Sequence, residues 1–120
     1  MLTVRWLDNS DLPELQANYA AVIVAGQQHR TVRWLLDVRR RVLPTSEAAQ
    51  WVTDEWLPRA VAALTPTRLR IAYLISPTRE ETLRSNTTLQ PGILAATAPD
   101  RPYDLRLFAD EGEAVRWLTA

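Results

Sequence analysis

Four short stretches of alternating apolar and polar residues, each followed by a turn and a helix-start signal, narrow most sharply what this chain can fold into. Residues 2–7 (LTVRWL) lead into Asn9, Ser10 and Asp11. Asp11 and Glu14 have capping-box spacing, Pro13 suits a first turn, and Leu12, Leu15, Tyr19, Val22, Ile23 and Gly26 form a helical stripe reaching about His29. Residues 33–38 (RWLLDV) are a second strand. Pro44 and Thr45 then open a helix whose apolar stripe is Ala48, Trp51, Val52, Trp56, Val61 and Leu64, with a kink expected at Pro58. Residues 69–75 (LRIAYLI) are a third strand. Ser76, Pro77 and Thr78 start a third helix with Glu81 in capping-box position. Asn86–Thr88 and Pro91 with Gly92 interrupt that helix, so residues 84–98 are expected to be the most mobile part outside the termini. Residues 103–108 (YDLRLF) are the fourth strand, and Asp110 with Glu113 caps a last helix that turns Ala114, Trp117 and Leu118 inward.

Strands that alternate with helices imply an α/β domain with a mainly parallel four-stranded sheet. Right-handed crossovers between strands in the order 1-2-3-4 place the helices mostly on one face. Parity assigns Leu2, Val4, Trp6, Trp34, Leu36, Val38, Leu69, Ile71, Tyr73, Ile75, Leu105 and Leu107 to that face. Thr3, Arg5, Arg33, Leu35, Asp37, Arg70, Ala72, Leu74, Asp104, Arg106 and Phe108 point the other way. Both-sided cover normally gives continuous apolar strands, so this mixture is read as an open face. Arg5, Arg33, Leu35, Arg70, Leu74, Arg106 and Phe108 would then form an interface for a second copy or another protein, or else ordinary wet surface.

The chain has 120 residues and 14 basic against 14 acidic side chains, which suits one domain over residues 1–120 and gives no net field toward nucleic acid or an anionic membrane. Every basic residue is arginine, so lysine chemistry is excluded. There is no cysteine and one histidine, His29, which removes thiolate chemistry and leaves no cysteine or second imidazole to complete a metal site. The longest apolar run, residues 19–26, is too short to span a bilayer, and no signal sequence is seen, so membrane insertion is not expected and the cytoplasm is.

Arg39, Arg40 and Arg41 follow the carboxyl end of the second strand, where open α/β sheets tend to bind anions. With Thr45 and Ser46 they form the candidate ligand corner. The competing reading is a solvated arginine loop paired with Asp37 and Glu47. Thr45 and Ser46 could take a phosphoryl group at a helix start, or simply cap it. Parity puts Trp6 and Trp34 on the helix-covered side, and the helical stripes carry Trp51, Trp56 and Trp117, so the tryptophans read as core and not as a nucleic-acid platform. Asp54 with Glu55, and Glu80 with Glu81, are sequence neighbours that diverge on a helix and make poor acid–base pairs. The sequon Asn86–Thr88 reads as chance, and no cofactor is called for.

RWLLDVRRR at residues 33–41 and DRPYDLRLFADEGEAVRWL at residues 100–118, with the element order, resemble the small bacterial STAS-like (SpoIIAA-like) domains of unknown function. The resemblance implies a four-turn right-handed β-α superhelix and a non-enzymatic regulatory or protein-interaction module. Anti-sigma antagonists of that group carry a phosphorylatable serine in an Asp-Ser-Ser-Gly type segment. Here the corresponding Leu43, Pro44, Thr45, Ser46, Glu47 has neither the paired serines nor the glycine. The extra first hairpin strand usual in such domains is also missing, so one sheet edge is expected to be barer. The alternative function is binding of a small anion or lipid-like ligand at the Arg39–Thr45 corner.

Overall fold

In the computed structural model, which describes residues 1–9, 11–41, 45–85 and 101–120, strands and helices begin close to where the sequence signals lie. The order is β1 (Leu2–Arg5), α1 (Leu12–Gln28), β2 (Arg33–Asp37), α2 (Ser46–Trp51), a wide π-type turn (Val52–Trp56), α3 (Leu57–Leu64), β3 (Leu69–Leu74), α4 (Pro77–Ser85), β4 (Tyr103–Phe108) and α5 (Glu111–Thr119). Side chains cap the helix starts: Asp11 accepts from the Glu14 N–H, Thr45 from Ala48, and Asp110 from Glu113. At α4 the cap is Ser76, which accepts from the Arg79 N–H at 3.1 Å, rather than the Thr78–Glu81 box read from the sequence. Helix α1 ends in a Schellman motif, with Thr31 N–H on Gly26 O and Arg30 N–H on Gln27 O. Arg30 takes the left-handed position (φ 50°) that glycine usually fills. The interruption expected at Asn86–Gly92 lies outside the described residues.

All strand pairs are parallel, in the order β1-β2-β3-β4. One layer of core packs α1 and α3 on the face carrying Trp34, Leu36, Leu69, Ile71, Tyr103 and Leu105. Trp34, Leu36 and Ile71 are buried there as parity requires, while Trp6, Tyr73 and Leu107 are only partly buried. Tyr19 organises the aromatic part of this layer: it stacks on Trp6 (5.1 Å between centroids) and meets Trp56 edge-on (4.8 Å). The buried indole N–H groups are satisfied, Trp34 by Thr31 O and Trp56 by Tyr19 O, both at 2.8 Å. Pro58 sits in the first turn of α3, and the irregularity it demands falls just before it, where Leu57 N–H reaches back to Val52 O. That wide turn shifts the stripe, so Leu57 and Ala60 are buried although the regular spacing did not select them.

The second face is not open. Helix α5 crosses back and buries Leu35, Ala72, Leu74 and Phe108 beneath Ala114 and Leu118. The crossover rule constrains only helices that join two parallel strands, so a helix following the last strand is free to take either side. With four apolar residues on that face, burial decides the matter. Leu35, Leu74 and Phe108 of the expected interface are 1%, 0% and 8% exposed, and the premise of a docking surface there is withdrawn. Its arginines are surface groups around α5: the Arg70 and Arg106 guanidiniums lie over the Trp117 ring at 4.6 and 5.8 Å, and Arg33 is exposed. No helix of the described residues is long and apolar enough to cross a membrane.

Candidate functional site at the carboxyl ends of the strands

Arg5 at the end of β1, Arg39 and Arg41 after β2, and Arg79 at the start of α4 lie toward the carboxyl ends of the strands, and they have opposite fates. The first group is an ionic knot. Asp37 closes β2 and is 6% exposed. Arg39 forks it, Nε on Oδ1 at 3.0 Å and Nη2 on Oδ2 at 2.8 Å, and Arg5 Nη1 adds a bond to Oδ2 at 2.8 Å. The Glu111 carboxylate at the start of α5 pairs with Arg5 at 2.5 Å and with Arg39 at 3.7 Å. Burial pushes the Asp37 carboxyl up, but the hydrogen bonds from Arg39 and Arg5 outweigh it and hold the group below its ordinary value. Arg39 is thus consumed by Asp37, one of the two partners of the solvated-loop reading, and no ion pair to the other, Glu47, is formed among the described residues. The knot ties α5 to the β1 and β2 edge.

The second group faces the helix-covered side. Arg41 lies over the Trp6 ring at 4.5 Å and spends Nε on Asp8 O at 3.1 Å. Arg79, in the first turn of α4, spends Nη1 on Val38 O at 3.3 Å. Near both lie two phenols, Tyr19 and Tyr73, with their hydroxyl oxygens 2.9 Å apart. Both guanidiniums are near enough to act electrostatically on both tyrosines. Arg41 Nη1 and Arg79 Nε are each shut off from solvent without a hydrogen-bond acceptor among the described residues. Neither arginine is ion-paired among the described residues. Glu14 alone adds a longer-range favourable carboxylate field at Arg41. Burial lowers the pKa of both guanidiniums and raises those of both phenols, Tyr73 well above its ordinary value. Tyr73 keeps some solvent exposure although its strand is interior to the sheet.

Of the five residues of the predicted corner, the structure therefore brings one, Arg41, to this cluster. Arg40 is exposed, Thr45 serves as the cap of α2, and Ser46 is that helix's first residue. Arg79 was missed. The signal for it was available, because it follows the carboxyl end of β3 as Arg41 follows that of β2, and β2 and β3 are neighbours in the sheet. Tyr19 and Tyr73 read as core from periodicity alone. Among the described residues no group of three His, Asp or Glu side chains is placed to hold a metal ion.

No family model matches the chain, and no curated protein or solved structure matches it either.

Proposed function

We propose that this chain is a non-enzymatic, STAS-like regulatory module that works by binding a small anion between Arg41 and Arg79. One observation carries the reading: two buried cationic N–H groups without acceptors among the described residues stand near a tyrosine pair. A buried donor left unpaired costs about 1–3 kcal/mol, and more when charged, so the free protein pays to keep the cluster as it is. An anion that accepts from these groups removes that cost. One donor lies on the connection after β2 and the other in the first turn of α4, so a shared ligand would fasten α4 to that connection. The regulatory half of the reading rests on the STAS-like resemblance, with which the sequential parallel order of the strands is compatible as a fold. Thermal melts in sulfate or phosphate against chloride at matched ionic strength test it, since a ligand that binds only the folded state raises Tm. The melting temperature rises more steeply with oxyanion concentration in the native protein than in an Arg41→Gln, Arg79→Gln variant, whose smaller rise is the general kosmotropic effect of these ions. Identical curves for the two proteins would contradict the proposal.

A further inference from the structure

Resting on that reading, we infer that the ligand group is a doubly charged tetrahedral oxyanion, a phosphate, phosphomonoester or sulfate, rather than a carboxylate. Charge is the first ground. The cluster holds two guanidiniums with no ion-paired carboxylate among the described residues, and a single carboxylate would leave one of them uncompensated. A phosphomonoester carries about −1.5 to −2 at neutral pH and sulfate carries a full double charge, which matches the pair.

Donor count is the second ground. Arg41 has given its Nε to Asp8 O but keeps the Nη1 edge, whereas Arg79 has given Nη1 to Val38 O but keeps the Nε edge. Each guanidinium thus retains one edge for an oxyanion, and the two edges come from different connections. The tyrosines add a third donor. One phenol O–H is spent on the other phenol's oxygen, which leaves the second O–H to point elsewhere. Donors arriving from three elements are matched by three terminal oxygens at the corners of a tetrahedron and poorly by the two coplanar oxygens of a carboxylate. The guanidinium edges only donate and carry charge, so an anionic acceptor fits them better than a neutral hydroxyl compound.

Calorimetric titrations at constant ionic strength separate the possibilities, with sulfate, inorganic phosphate and phenyl phosphate on one side and acetate, benzoate and malonate on the other. Malonate supplies a double charge without tetrahedral geometry. The tetrahedral group is expected to bind at least about tenfold more tightly than any carboxylate, a difference of about 1.4 kcal/mol. Phenyl phosphate tighter than inorganic phosphate identifies a monoester as the source, and the reverse identifies the free ion. Arg79→Lys, which keeps the charge and loses the planar edge, is expected to lose most of the affinity while circular dichroism reports an intact fold. Acetate, benzoate or malonate binding as tightly as sulfate overturns the ligand class but leaves the anion reading standing. Absence of binding by every one of these ions overturns both.

Discussion

Gly26 lies so close under the indole of Trp34 that a β-carbon on it would overlap Cζ2 and stand 2.8 Å from Cε2. The ring cannot yield, because Trp34 is fully buried and its Nε1 is tied to Thr31 O. Glycine therefore sets how near α1 approaches β2. Alanine at an exposed helix position would gain about 1 kcal/mol over glycine. Here overpacking costs about 1–3 kcal/mol and wins. Gly26→Ala is expected to lower the urea midpoint, and a midpoint equal to or above that of the native protein would contradict this packing.

Helix α5 is the cover of a second core layer, and Leu118 is its fully buried anchor. Leu118→Ala is expected to cost about 2–5 kcal/mol in chemical denaturation, the usual range for an emptied core site. If the second sheet face were open, as strand parity alone suggested, the loss would be near zero.

How much could be read from the sequence depended on what each signal reports. Capping residues act within one turn, so Asp11, Thr45 and Asp110 located their helices correctly, and strand parity separated Trp34 and Ile71 from Leu35 and Ala72. Parity says which way a residue points and not what covers it. The stripe of Leu35, Ala72, Leu74 and Phe108 together with the inward residues of the last helix held the missing information, since two apolar surfaces without partners tend to find each other. Arg41 and Arg79 are 38 positions apart by their numbers, and no local pattern joins them. That both act on the same tyrosine pair depends on the parallel register of β2 with β3, which sets the two carboxyl ends side by side.

Asp37 makes stability depend on acid. Its carboxyl is held below the unfolded value of about 3.9, so its contribution is present above that pH and is lost as pH falls through the lower folded value. Arg5 and Arg39 are 44% and 41% exposed, which discounts the pairs. Asp37→Asn is expected to cost about 2 kcal/mol at pH 7, within the range for charged hydrogen bonds. The difference from the native protein should shrink as pH falls below about 4. A difference that stays constant from pH 7 to pH 2.5, about 1.4 units under the unfolded value, would show that the carboxylate charge is not what holds the knot.

The most direct measurement of the central claim is the Nε–H resonance of Arg79 in a proton–nitrogen correlation spectrum, followed through a sulfate titration. That N–H has no acceptor among the described residues, whereas the Arg39 Nε–H is fixed on Asp37 at 3.0 Å and serves as an internal control. An N–H that gains a charged acceptor moves downfield as the hydrogen bond shortens. The Arg79 signal is predicted to move downfield and saturate while that of Arg39 stays in place, with the response weakened in Arg41→Gln. An Arg79 signal that does not move, or that drifts in parallel with Arg39 as general ionic strength would make it, contradicts the anion site.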